Sequence, residues 1–352
     1  MLSPRTETIL KSIVGQYIIK AAPVPSHSIT SDSELGVSSA TVRNEMVHLE
    51  QEGYITRPHP SAGGVPLDKG YRCYVASLGD VKFPPAEQRL VSHLFHQVEL
   101  ELEAWLDLAA TLTSQKVQNM TLISTPKPEA CQFKRLELVS LREFLALVVL
   151  VLRGAKVRQQ LVTFDQVVSQ QELTVMANKL SDTYSGVSGS QIPAKNSGLS
   201  ITEQQITDCV VKLMEAEDNQ EHDDSYIDGL HFTLNQPEFA HNRFLAQTLT
   251  ELIEQRNLLK SIVPSLPTGK GVHVIIGKEN EAESLHDYSV VISRYGLPDE
   301  AEGTICVIGP TRMPYARTIA TVNYLSLVLS GLVAKLYGGE TLPAESTIGD
   351  AN

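Results

Sequence analysis

The residues from Gly36 to Arg72, GVSSATVRNEMVHLEQEGYITRPHPSAGGVPLDKGYR, constrain the fold more than any other part of the chain. Val42, Met46 and Leu49 recur at helical spacing, which gives a helix over 39–52 one apolar face. Ser38 stands where an N-cap belongs. Upstream, residues 28–35 read as a shorter helix that Gly36 separates from it, and residues 5–20 read as a first helix ended by Ala21-Ala22-Pro23. Downstream, Pro58, Pro60 and Pro66 suit the ends of a short hairpin, and Gly63-Gly64 permits positive φ at its tip. A helix capped by Asp68 then runs to about residue 78. Helix, turn with glycine, second helix and hairpin is the order of a winged helix-turn-helix, which lays its second helix in the DNA major groove.

On the helix over 39–52 the face opposite the apolar one carries Ala40, Asn44, Val47 and Gln51, flanked by Arg43 and His48. Ser38, Ser39, Thr41, Arg43 and Asn44 fall in its first turns, which in such a motif meet base edges and phosphates. Arg forks to guanine and Asn to adenine, each pair discriminating by about 1–3 kcal/mol. His59 and Ser61 in the hairpin, with Lys69 and Arg72 after it, add donors suited to a phosphate backbone. An amphipathic helix with a solvated polar face has the same spacing, so spacing alone leaves both readings open.

Charge gives little help. The net charge is −12, and the first eighty residues carry seven Lys and Arg against eight Asp and Glu. Residues 165–262 carry fifteen acidic and six basic side chains, which excludes that segment as a nucleic-acid surface. Cys73, Cys131, Cys209 and Cys306 lie far apart, fitting reduced thiols and no zinc site. The apolar run over 144–152 is too short to span a bilayer, so the expectation is a cytoplasmic protein with no membrane partner. His93 and His96 lack a third ligand at metal spacing, and residues 269–280 lack the spacing of a phosphate-binding loop. No nucleophile and base can be paired, so neither an enzyme nor a cofactor is expected. Arg312, between a strand and a helix, reads as a tie within the fold or at a domain interface, with an anion site as the alternative.

Beyond a Pro-containing linker at 79–85, a long helical stretch covers 86–116. Strand patterns follow at 120–125, 133–141, 144–152 and 156–164. A polar, helix-like and acidic region comes next, with a second helical part at 238–261. Strands return at 272–277, 288–295 and 304–308, before a helix over 315–337. One sheet domain interrupted by an insertion accounts for the two strand sets. The expected units are 1–80, then 86–168 with 263–340, an insertion at 169–262, and a tail at 341–352.

The segments PVPSHSIT, LGVSSATVRNEMVHLEQEGYI, PHPSAGGVPLDKGYRCYV, GVHVIIGKEN and GTICVIGPTRMPYARTIATVNYLS together resemble the heat-inducible transcription repressor family HrcA. The resemblance touches both ends of the chain. It implies an α+β multidomain protein with an N-terminal winged helix-turn-helix, a GAF-like α/β domain and an inserted, mainly helical dimerisation domain. It also implies a homodimer on double-stranded DNA, at an inverted-repeat operator upstream of chaperone operons. Activity would be lost on heat stress, and the GroE chaperonin would be a partner that keeps the DNA-binding form. A regulator whose GAF-like domain senses a small metabolite is the competing reading. The family usually has Arg after Ser-Ala-Gly in the wing, where this chain has Gly64. A phosphate or minor-groove contact would then be missing, and Gly64→Arg would restore it.

Overall fold

The computed structural model describes residues 2–32, 36, 38–59, 62–98, 101–127, 130–153, 156–196, 198–219, 225–254, 258, 262, 271–298 and 301–337. Helix α1 (Pro4–Lys20) starts on the Ser3 side chain, which accepts from the Thr6 N–H, and ends where Ala21 turns left-handed at φ 50°. Its stripe of Ile9, Leu10, Ile13 and Val14 is fully buried, each side chain contributing about 1.5–3 kcal/mol. Helices α2 (Ser26–Asp32) and α3 (Ser39–Gln51) follow. Strands β1 (Ile55–Thr56) and β2 (Val65–Pro66) pair antiparallel, and helix α4 (Asp68–Ala76) completes this N-terminal unit. Asp68 is not the cap that the sequence suggests. Leu67 holds that position, and the Asp68 carboxylate instead accepts from the Lys278 N–H at 3.0 Å.

The chain continues through α5 (Pro85–Gln97), α6 (Leu102–Val117) and β3 (Met120–Ser124). Strands β4 (Phe133–Arg142), β5 (Leu145–Leu152) and β6 (Val157–Thr163) precede helices α7 (Gln170–Tyr184) and α8 (Ile201–Asn219). Next come β7 (Ser225–Asp228), α9 (Leu230–Leu234), α10 (Pro237–His241) and α11 (Arg243–Glu254). The last elements are β8 (Val272–Ile276), β9 (Tyr288–Leu297), β10 (Ala301–Pro310) and α12 (Tyr315–Tyr337).

An antiparallel sheet of order β7-β3-β10-β9-β8 is the centre of the molecule. One face, with Ile123, Val291, Ile305 and Val307, shares a core with Trp105 and Ala109 of α6 and Leu325 and Leu329 of α12. That core runs on without a break into the N-terminal unit. The other face, with Met120, Leu122, Val290, Ile292 and Ile308, packs on Phe239 and Leu249. Burial on both faces is why the ICVI run of β10, 305–308, is apolar throughout. By length and composition α12 passes for a membrane span, with mean hydropathy 1.6 over Tyr315–Leu336. Val322, Leu325, Leu329 and Val333 are nevertheless buried under the sheet.

The strands do not share one sheet, which corrects the single interrupted sheet expected from the sequence. β4, β5 and β6 form a separate antiparallel meander. Phe133, Leu136, Val148 and Leu150 close over Leu173 and Leu180 of α7 and Ile206 and Val210 of α8 in a core of their own. Alternation reports that a strand has a buried face, but not which layer buries it. Ser124 of β3 lies in register opposite Ser225 of β7, so the chain leaves the central sheet and returns beside the same strand. β7, only four residues long, is absent from the expected strands. The expected linker at 79–85 is pinned as well, because Phe83 is buried and stacks on Tyr324 with ring centroids 4.7 Å apart. The single helix expected over 86–116 is two helices, α5 and α6. The tail at 341–352 lies outside the described residues.

Candidate nucleic-acid interface

Helix α3 is fixed at both ends and along one side. The Ser38 hydroxyl accepts from the Thr41 N–H at 3.2 Å and lies 3.0 Å from the Thr41 hydroxyl. Ser39 Oγ sits 3.0 Å from Ser26 Oγ at the start of α2, which joins the two helices at their N-termini. Val42, Met46 and Leu49 are buried. At the other end Lys69 donates to the Glu52 carbonyl at 2.8 Å, with its ammonium 4.2 Å from the Tyr54 ring centroid. A cation there also opposes the negative end of the helix dipole. Arg57 donates through Nε to Glu50 at 2.9 Å, and this hydrogen bond outweighs burial and holds the Glu50 carboxyl below the usual range.

The remaining face of α3 is open. Ala40, Arg43, Asn44, His48 and Gln51 are exposed. Among the described residues the side chains of Arg43, Asn44 and His48 make no hydrogen bond or ion pair. Long polar side chains left unpaired on a buttressed helix keep their full donor and acceptor capacity for a partner outside the chain. Ser38, Ser39 and Thr41 cluster with them at the helix N-terminus. His59 is exposed in the hairpin, where its carbonyl accepts from the Ala62 N–H at 2.7 Å. Ser61 lies outside the described residues. Lys69 is near α3 but already serves its C-terminus.

Arg72 does not belong to this surface. Its Nε donates to Glu279 at 2.8 Å, its Nη2 to the Val274 carbonyl at 2.6 Å, and Nη2 also reaches the second Glu279 oxygen. Asp68 and Arg72 are one helical turn apart and so share the side of α4 that meets β8 and the loop after it. Burial pushes the Glu279 carboxyl up, but the hydrogen bonds from Arg72 and the Ile276 N–H prevail and hold it low. Sequence reasoning missed Glu279, Ser26 and the Glu50–Arg57 pair. Glu279 carries no signal in the sequence, because folding brings it to Arg72 from 207 residues away. Ser26 and the Glu50–Arg57 pair are closer in sequence, 13 and 7 residues from their partners, but meet only once α2, α3 and β1 have formed.

The two wing glycines answer to close packing rather than to φ. Neither has positive φ. A Cβ at Gly63 would lie 2.4 Å from the Val24 carbonyl carbon and 2.6 Å from that of Pro23. Gly64 is buried and exchanges two backbone hydrogen bonds with Val24, both 2.9 Å. A Cβ there would meet Ile55 Cδ1 at 3.1 Å and Met46 Cε at 3.2 Å. At the base of the hairpin a side chain at position 64 would start against these two flexible side-chain ends. Gly64→Arg is expected to destabilise the protein by about 1–3 kcal/mol through overpacking, visible as a lower Tm. An unchanged Tm with a salt slope of DNA binding steeper by about 0.9 would show that this position faces phosphate instead.

Residues 103–319 match the family model of the HrcA protein C-terminal domain. A heat-inducible transcription repressor HrcA of Dehalococcoides mccartyi is 54% identical over 338 residues, covering 96% of this chain and 98% of that one. The repressor of the same name from Roseiflexus castenholzii is 37% identical, with 96% of each chain covered. A hypothetical protein solved as a crystal structure at 2.2 Å resolution shares the fold, with TM-score 0.62 and 22% identity over 95% of this chain and 99% of that one. The chain therefore belongs to the HrcA family of heat-inducible transcription repressors, which are regulators of transcription and not enzymes.

Proposed function

We propose that the N-terminal unit is a winged helix-turn-helix that reads operator DNA with α3 and touches the backbone with the β1–β2 hairpin. The carrying observation is the set Arg43, Asn44 and His48, exposed and unpaired among the described residues on a helix held rigid at both ends. Ser38, Ser39, Thr41 and His59 flank it. The central sheet with its helices is the GAF-like domain, and the unit from about residue 131 to 219 is the inserted dimerisation domain. The repressor acts in the cytoplasm on an inverted repeat upstream of chaperone operons. Titration of fluorescent DNA with the purified protein tests this. The inverted repeat should bind roughly 10³-fold or more tighter than scrambled DNA, and equal affinities would refute operator recognition.

The meander supports the homodimer. Its central strand reads LALVVLVL, apolar on both faces. Ala146, Val148, Leu150 and Leu152 are buried, whereas Leu145, Leu147, Val149 and Val151 are only partly covered. Leu147 pairs with Val139 on one side and Leu161 on the other, and these are 43% and 57% exposed. Val157, opposite Val151, is 47% exposed. This apolar strip along β5, flanked on the same face by Arg135, Glu137 and Gln159, supports an interaction surface, and a second copy of the chain supplies a matching face.

Heat sensing follows from size and construction. A large protein with an inserted unit exposes apolar surface when partly unfolded, and aggregates. DNA binding is expected to fall irreversibly on heating and to return when GroE chaperonin and ATP are added. Full return on cooling without any chaperone would contradict this mechanism.

A further inference from the structure

Two guanidinium groups join the N-terminal unit to the rest of the chain. Arg312, in the turn after β10, is 12% exposed at its side chain. It donates through Nε to Glu238 at 2.6 Å and through Nη2 to Gln236 Oε1 at 2.9 Å. Its Nη1 donates to the Ile18 carbonyl at 2.6 Å. That carbonyl is in the last turn of α1, where helix geometry leaves acceptors without partners and the dipole favours a cation. Arg72 forms the second clamp, on Glu279 and the Val274 carbonyl, with Asp68 beside it on the Lys278 N–H. Between them Tyr71 is 2% exposed, with its ring centroid 5.8 Å from that of Tyr315. Neither clamp touches α3.

We propose that Arg72 and Arg312 are positioning residues for operator binding, setting the angle at which each protomer presents α3. The inference rests on the dimeric, inverted-repeat reading above. A guanidinium fork is planar and directional, so a pair of them fixes orientation as well as distance. In a dimer that orientation sets the separation of the two reading helices, which must match the half-site spacing. Linking two sites raises avidity only when the link suits their span. A unit hung on loosened clamps tolerates many spacings and gains little from any.

The test compares the wild type with the Arg72→Gln, Arg312→Gln double variant. DNA probes are a single half-site, the intact operator, and operators with the half-sites displaced by up to about half a helical turn. The variant should bind the half-site as the wild type does, lose roughly tenfold or more on the intact operator, and show a flatter dependence on spacing. Retained half-site binding certifies that the reading unit is folded. Should the glutamines unfold it, Arg72→Lys with Arg312→Lys keeps the charges, loses the forks and should give the same split. A variant with wild-type operator affinity and spacing dependence would overturn the positioning role while leaving the dimeric reading intact. A wild type that binds half-site and operator equally would sink the dimeric reading, and the positioning role with it.

Discussion

Leu147→Asp with Leu161→Asp is expected to give a folded monomer. Both side chains lie on the open face of the meander, paired across β5 and β6, and Leu161 is 57% exposed. Their loss therefore costs the isolated protomer little, whereas two buried carboxylates in a paired interface are prohibitive. Affinity for the inverted repeat should fall toward that of one half-site, by about 10²- to 10⁴-fold. Sedimentation gives the mass and far-ultraviolet circular dichroism the fold. A complementary deletion removes residues 130–221 and rejoins the chain with a short Gly/Ser turn. Ser124 and Ser225 face each other in the central sheet, so the two strands to be rejoined are already neighbours. An unchanged dimer in either variant would rule out this face and this unit.

Arg43→Ala with Asn44→Ala is expected to abolish specific binding. Each bidentate base contact discriminates by about 1–3 kcal/mol, and a dimer makes every contact twice. Losing one residue type then costs about 2–6 kcal/mol on the intact operator, roughly 30-fold to 10⁴-fold. Both side chains are exposed, so thermal stability should hardly move. Val42→Ala is the contrasting control, since Val42 is fully buried and its truncation lowers stability first. Full operator affinity in the folded double variant would remove α3 as the reading head.

What was legible in the sequence was local. Val42, Met46 and Leu49 at helical spacing with Ser38 before them marked α3 and its buried side, and the structure holds both. The strands of the central sheet other than β7 announced themselves as apolar runs, because β10 and its neighbours are covered on both faces. Partners across the chain were not legible. The sequence of β4, β5 and β6 reads the same whether α7 or the central helices cover them, so their separation into a second sheet was not legible. Arg72 lies in a basic-looking stretch, yet its acceptors are Glu279 and Val274, far along the sequence. Gly64 looked like a turn glycine, and only the fold brings Ile55 and Met46 against where its Cβ would be. Phe83 sits between a lysine and two prolines in an apparent linker, and its stacking on Tyr324 depends on where α12 returns.

Footprinting of the purified protein on the DNA upstream of its own chaperone genes decides whether a dimer reads an inverted repeat through α3. Two protected half-sites related by a two-fold axis are expected, centred whole helical turns apart, at about 10–10.5 base pairs per turn. Protection should vanish together from both halves in the Arg43→Ala, Asn44→Ala variant. Protection of one unpaired half-site, or of sequences without two-fold symmetry, would contradict a dimer that reads DNA through α3.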